Sequence, residues 1–166
     1  MMDDSIQSIQ IAPNGVVTEI YPEEGNESGK IDLINDSGRG AISRYARDND
    51  TVIMQGPFEL KQGEYGIAVR NPVYLDDENG QKNFWGFAII ILKVPDIFSA
   101  SVEALSDFGY KYSLQKSAAP WDDSYEWVYG SNKELNDPVI YDFDVYGDKW
   151  RLEILPKSGF YNNNYL

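Results

Sequence analysis

The central strands of this protein are encoded in residues 51–94, which read TVIMQGPFELKQGEYGIAVRNPVYLDDENGQKNFWGFAIIILKV. The strand-like segments are Thr51–Leu60, Tyr65–Leu75 and Phe84–Val94, and short polar turns separate them. Links this short join neighbouring antiparallel strands. The third segment is apolar on both faces, so we expect it in the middle of a sheet with both sides covered.

A hairpin is predicted ahead of these strands. Ser5–Ala12 and Val16–Tyr21 alternate between apolar and polar residues, and they flank Pro13-Asn14-Gly15. Asn-Gly between two such segments is the strongest short-range hairpin signal. The polar stretch Pro22–Lys30 that follows reads as a loop.

An amphipathic helix is expected between the hairpin and the three strands. Asp36 and Ser37 offer oxygens for its N-terminal cap, and its pattern extends to about Asn49. The residues expected on its buried stripe are Ala41, Ile42, Tyr45 and Ala46. Arg39 lies at the helix start, on the edge of this stripe. Two strands, a helix and three strands is an order that resembles the PAS-like plan, an antiparallel sheet with helical cover.

A second helix and further strands are predicted after Pro95. The helix runs from Pro95 to a C-terminal cap at Gly109. Its expected inward-facing residues are Ile97, Phe98, Val102, Leu105 and Phe108. The predicted strands are Tyr110–Gln115, Val139–Val145 and Lys149–Leu155. Residues 116–138 show no clear pattern.

These elements predict an α+β fold in two parts. We expect residues 1–95 to form a PAS-like ligand-sensing unit. We expect residues 96–166 to form a second, smaller α+β unit packed against it.

Composition and charge exclude several classes of function. The formal net charge of -13 repels nucleic acids and anionic lipid surfaces. The chain contains no cysteine and no histidine, which removes thiolate chemistry, the commonest transition-metal ligands and the commonest general base. We therefore expect a binding protein rather than an enzyme, with no cofactor, no metal and no nucleic-acid partner.

Two acidic patterns have simple structural explanations. The turn Asp76–Gly80 lacks the ligand spacing and terminal glutamate of a calcium-binding EF-hand loop. Asp142 and Asp144 could be posed as a glycosidase carboxylate pair. Strand alternation alone places such a pair on any solvated face, so we expect no catalysis from it.

The sequence contains no segment typical of membrane insertion. The longest apolar run, Phe84–Val94, is far shorter than the roughly 20 residues of a membrane-spanning helix. Residues 1–4 are neither basic nor apolar in the manner of a secretory signal. If the parent protein is membrane-bound, we expect this chain to be a portion excised from it.

Several segments resemble the CHASE sensor domain, which is found outside the membrane in receptor kinases and diguanylate cyclases. The resemblance is strongest in GPFELKQGEYGIAVRNPVYL (56–75) and NFWGFAIII (83–91). It extends to IQIAPNGVVTEIYPEEGN (9–26) and DKWRLEILPK (148–157). The resemblance implies an extracytoplasmic signal-input domain of a membrane-anchored receptor, of the two-component or GGDEF type, with a small-molecule ligand and the option of a homodimer.

The resemblance also implies a binding site. In the plant cytokinin receptors of this family, an aspartate on the helix and a threonine on the fourth strand contact the purine. The positions that correspond to them here are Arg39 and Arg70. Guanidinium groups are donors only, and their geometry matches carboxylate and phosphate. The implied ligand is therefore a small anion, such as an organic acid or an amino acid, and not a cytokinin.

The strand pattern supports a site at Arg70 independently. Arg70 shares a strand face with Gly66, Ala68 and Pro72, whose small side chains leave room above the sheet. The residues expected to form walls are Leu60, Tyr65 and Trp85. We expect the loop Pro22–Lys30 to act as a lid.

Two other functions remain open from the sequence. The fold could serve as a ligandless structural or dimerisation module whose pocket is filled by side chains. A secreted carbohydrate-binding domain would instead use the tyrosine and tryptophan content, 12 and 4 residues respectively.

Overall fold

The computed structural model describes residues 3–23, 31–60 and 63–159. Its elements in chain order are β1 (Ile6–Pro13), β2 (Glu19–Tyr21), α1 (Gly40–Asp48), β3 (Ile53–Glu59), β4 (Tyr65–Asp76), β5 (Lys82–Val94), α2 (Asp96–Asp107), β6 (Tyr110–Ser117), β7 (Tyr125–Gly130), β8 (Val139–Val145) and β9 (Asp148–Pro156). The chain divides into two compact units, Met1–Lys93 and Val94–Leu166. The described residues contain two sheets and two helices, so the fold is mostly β rather than α+β.

The first unit contains a five-stranded sheet in the order β2-β1-β5-β4-β3. β1 pairs antiparallel with β2 and with β5, and β3 pairs antiparallel with β4. The central position of β5 confirms the prediction from its apolar sequence. The helix α1 packs on β3 and β4.

The prediction that both faces of β5 are covered is wrong. Phe87 is 0% exposed on the inner face, whereas Ile90 is 38% exposed on the outer one. Ile9 of β1 pairs with Ile90 and is itself exposed, so the outer face carries an apolar patch. Apolar residues on both faces of a strand do not by themselves show that another element of the same unit packs on each face.

The N-terminal hairpin forms around the predicted turn. Asn14 and Gly15 both have positive φ, 53° and 84°, as a tight hairpin turn requires. The Gly15 amide donates to the carbonyl of Ala12 at 3.0 Å. β2 is shorter than predicted because Val16 forms a bridge with Asp32 and the Val17 amide donates to the carbonyl of Ile31.

The helix α1 begins later than predicted, at Gly40. Asp36 Oδ1 accepts hydrogen bonds from the backbone amides of Gly38 and Arg39, so its cap closes the turn before the helix. A Cβ on Gly40 would lie 2.5 Å from the carbonyl oxygen of Ile34, so glycine allows this segment to approach the helix closely.

The buried stripe of α1 is rotated from the predicted one. The buried residues are Gly40, Ile42, Ser43 and Ala46. Ala41 is exposed and Tyr45 is half-buried, contrary to prediction. Small residues at positions 40, 43 and 46 bring the helix close to the sheet, which turns the larger Tyr45 towards its edge.

The second unit contains a four-stranded sheet in the order β7-β6-β9-β8, together with α2. β7 lies in the part of the sequence without a clear pattern. Gly109 has a φ of 84°, as expected for a residue that ends a helix. Val102 is the buried residue of α2, but Phe108 is 80% exposed because it falls in the terminal cap, beyond the last helical turn.

Candidate functional site

A buried arginine is the main feature of the first unit. Arg70 lies on β4, where the alternation of the strand directs it to the same face as Gly66, Ala68 and Pro72. That face carries α1, because the Tyr74 hydroxyl donates to the carbonyl of Arg47. Arg70 is 3% exposed. The sheet therefore holds a long cationic side chain beneath a helix.

The guanidinium of Arg70 is incompletely satisfied by the protein. Its Nη1 donates to the hydroxyl of Ser43 on α1 at 3.4 Å. Its Nε is buried and has no hydrogen-bond acceptor within residues 3–23, 31–60 and 63–159. No carboxylate in these ranges lies within ion-pair distance of Arg70. A buried donor without a partner costs free energy, so this arrangement favours an acceptor supplied from outside.

The structure brings the charge of Arg39 close to Arg70. Arg39 immediately precedes α1 and lies one helical turn before Ser43, so the two residues share a helix face. Burial, followed by the positive charge of Arg39, lowers the pKa of Arg70 to about 10. Arg39 itself is exposed. One guanidinium is thus buried and the other stands at the solvent boundary.

The carboxylate of Asp36 interacts electrostatically with both arginines. Its pKa is lowered by hydrogen bonds from the backbone amides of Arg39 and Gly38, and then by the charges of Arg39 and Arg70. Two guanidinium groups and one carboxylate leave a net charge of +1 in this cluster. A local positive charge in a protein of net charge -13 favours a small anion at this position.

A second polar group on the same sheet face lacks a partner. Gln55 of β3 pairs with Ala68 of β4, and Ile53 pairs with Arg70, so Gln55 and Arg70 occupy the same face. Gln55 Oε1 is buried and accepts no hydrogen bond from the described residues. The sequence analysis missed both Gln55 and Ser43. Gln55 could have been found from the period-two pattern of β3, and Ser43 from its spacing of four residues from Arg39.

Two of the three predicted wall residues, Leu60 and Tyr65, lie on opposite faces of the sheet. The side chain of Leu60 covers Gly66, where an added Cβ would lie 2.8 Å from Leu60 Cδ2. Leu60 therefore lies on the face of Arg70. Tyr65 is five positions before Arg70 on a regularly alternating strand, so it lies on the opposite face, and it is 51% exposed.

Trp85 is a half-buried residue of β5, the strand beside β4. Its neighbour Phe84 contacts Tyr74 on the α1 face, with ring centroids 5.8 Å apart. Phe84 also contacts Phe87, three positions further along β5, with ring centroids 5.1 Å apart, so the strict alternation of the strand is interrupted between them. Of the predicted walls, Leu60 lies on the face of Arg70 and Tyr65 lies on the opposite face. Residues 24–30 of the predicted lid lie outside the described residues.

Asp142, one of the two paired aspartates of the second unit, forms an ion pair with Arg151. Arg151 Nε and Nη2 donate to the two carboxylate oxygens of Asp142, at 2.7 and 2.9 Å. The guanidinium of Arg151 also stacks over the ring of Tyr125. Asp142 is therefore half of an ion pair rather than a free acid or base. In the described residues, no group of acidic side chains could hold a metal ion.

The sequence model of the CHASE domain matches residues 3–120. This chain belongs to the CHASE domain family. The match covers the whole five-stranded sheet, α1 and the arginine cluster, and CHASE domains are sensory input domains. No curated protein sequence matches this chain.

Two solved structures are similar in fold to this CHASE domain. An extracellular ligand-binding receptor from Desulfohalobium retbaense DSM5692 superposes with a TM-score of 0.59 at 12% identity, covering 91% of this chain and 30% of that one. The ligand-binding domain of the amino acid chemoreceptor PctC of Pseudomonas aeruginosa PAO1, in complex with GABA, gives a TM-score of 0.55 at 14% identity, covering 90% and 74%. The CHASE domain thus spans less than a third of the first receptor's length and has a sensor-domain fold.

In this CHASE domain, neither helix of the described residues has the length and apolarity needed to cross a bilayer.

Proposed function

We propose that this CHASE domain is the extracytoplasmic ligand-binding part of a membrane-anchored receptor, and that it binds a small anion between α1 and β4. The observation that carries this proposal is the buried guanidinium of Arg70, whose Nε has no acceptor among the described residues. Arg39 supplies a second cation at the solvent side. Arginine is suited to this role because it stays charged and forms directional hydrogen bonds to carboxylates.

The ligand chemistry of a similar structure supports the proposal. The PctC domain is in complex with GABA, a small molecule that carries a carboxylate. A carboxylate at the cluster would accept from Arg70 Nε and neutralise the net charge of +1. We expect the ligand to be an organic acid or an amino acid.

Signalling would follow from differential affinity. An anion that contacts Arg39 on the α1 side and Arg70 on β4 binds best when helix and strand are close together. It therefore stabilises that arrangement over a more open one, as any ligand does that binds two states unequally. In the parent receptor, this difference would reach the membrane segments.

A thermal-shift screen tests the proposal. Small carboxylates and amino acids at saturating concentration should raise the melting temperature by a few degrees, following mass action. Arg70→Met and Arg39→Ala should abolish the rise. Arg47→Ala is the matched control, because Arg47 lies on the same helix and pairs with the exposed Asp48.

The outcomes separate the competing functions. A shift that survives both arginine variants would show that the ligand binds elsewhere. A protein that responds to no carboxylate would act as a ligandless structural module. A shift with neutral sugars that is independent of Arg70 would favour carbohydrate binding.

A further inference from the structure

We propose that the anion bound at Arg70 also carries a hydrogen-bond donor, an amino or hydroxyl group, that Gln55 accepts. This proposal rests on the proposed function, because it concerns the other end of the same ligand. It names the ligand class as small amino or hydroxy carboxylic acids.

The first argument is the pairing of unsatisfied atoms. Arg70 Nε is a buried donor without an acceptor, and Gln55 Oε1 is a buried acceptor without a donor, within the described parts of the chain. A carboxylate can satisfy the first atom but not the second, because a carboxylate only accepts. A ligand that satisfies both atoms must therefore carry a donor as well.

The second argument is the position of the two side chains. Gln55 pairs with Ala68, and Arg70 is two residues further along β4, so the two are diagonal neighbours on one face. Diagonal neighbours in an antiparallel pair are about 7–8 Å apart, within reach of long side chains. A hydrogen bond from Arg70 Nε to Gln55 Oε1 would satisfy both atoms, yet the structure does not form it. Both groups therefore remain unsatisfied on the same face of the sheet.

The third argument is the shape of the surface around them. Ala68 and Ile53, which lie opposite Gln55 and Arg70 in the ladder, are apolar and carry no competing donor. α1 packs over both strands and presents Ser43 and Gly40 on its buried stripe. Gly40, Ser43 and Ala68 are small, so the helix and the sheet carry no bulky side chains at these three positions.

Titration calorimetry with matched acids tests the inference. The probes are propanoate, 3-aminopropanoate and 3-hydroxypropanoate, and the corresponding four-carbon series. We expect the amino or the hydroxy acid of at least one series to bind about tenfold or more tightly than its parent acid, because the parent leaves Gln55 unsatisfied. The two arms identify which donor the site accepts.

Substitutions at Gln55 assign the preference to this residue. Gln55→Met keeps the side-chain volume but removes the acceptor, and it should reduce the preference to about twofold or less while the parent acid still binds. Gln55→Asn keeps an amide but on a side chain that is one methylene shorter. It should lower the preference for the amino or hydroxy acid without placing an apolar side chain at this position. Asn71→Met is the control, because Asn71 presents its amide on the exposed face of β4.

The results that overturn this inference differ from those that overturn the proposed function. If the parent and substituted acids bind equally well and Arg70→Met abolishes this binding, the site binds an anion but requires no donor from the ligand. That result contradicts the inference. A preference that survives Gln55→Met and Gln55→Asn also sinks it. Failure of all six acids to bind, or binding unaffected by Arg70→Met, overturns the proposed function together with the inference.

Discussion

Arg70 Nη1 donates to Ser43 Oγ at 3.4 Å, and this hydrogen bond joins β4 to α1. The contact is long, and a neutral hydroxyl compensates little of the cost of burying a cation. Lowering the pKa of Arg70 from its ordinary value to about 10 corresponds to a penalty on the order of 3 kcal/mol for the charged state. The unliganded protein therefore carries a cost that an anion would relieve.

Arg70→Met should stabilise the unliganded domain by about 1–3 kcal/mol at pH 7. The substitution keeps an unbranched side chain of similar length and removes the buried charge. Urea unfolding of the two proteins without ligand measures the difference. A loss of stability of similar size would mean that Arg70 has an internal partner that balances its charge.

The stability gained by Arg70→Met should depend on pH in a specific direction. The pKa of Arg70 is lower in the folded state than in the unfolded state, so the cost of its burial is fully present below about pH 10. The cost decreases as the pH rises above about 10, because Arg70 then loses its proton on folding. The difference in the free energy of unfolding between the two proteins is measured at pH 8 and at pH 11. Taking this difference cancels the titration of all groups that both proteins contain. A gain that is constant or larger at pH 11 would contradict the prediction.

Asp36→Asn should strengthen the binding of a carboxylate ligand by less than about tenfold, because screening by solvent limits the effect of an exposed charge. The amide oxygen can still accept from the Gly38 and Arg39 backbone, whereas the competing negative charge is gone. Calorimetric titration with the tightest probe measures the change. Weaker binding at unchanged thermal stability would show that Asp36 contacts the ligand directly.

Lys116→Met should destabilise the second unit by about 3–5 kcal/mol, the opposite sign to Arg70→Met. Lys116 Nζ lies 3.3 Å from Asp148 Oδ1, and both side chains are almost completely buried. Removing the lysine takes its positive charge away from the buried carboxylate of Asp148. Thermal and urea unfolding measure the loss, and Lys149→Met is the control because the Lys149–Asp123 pair is exposed. A neutral result would show that the pair is dispensable for folding.

Local patterns in the sequence predicted much of the first unit. The alternation in residues 51–94 predicted β3, β4 and β5 to within a few residues at their ends, and Asn14-Gly15 predicted the hairpin turn. Composition also determined that β5 is central. These features depend on residues close together in the chain, where periodicity and turn chemistry act directly.

Pairing across the fold decided the rest. The register that places Gln55 opposite Ala68, and the rotation of α1 that buries Ser43, bring polar groups to Arg70 from distant parts of the sequence. The same alternation turns Tyr65 to the opposite face.

By itself, the sequence determined the succession of two strands, a helix and three strands in the first unit, the hairpin turn and the presence of arginines at positions 39 and 70. Only the tertiary structure decided that Arg70 is buried with an unsatisfied Nε and that Gln55 shares its face. The physical reason is that burial and hydrogen-bond satisfaction depend on how the helix and strands pack. A one-residue difference in register or helix rotation would exchange the buried and exposed side chains.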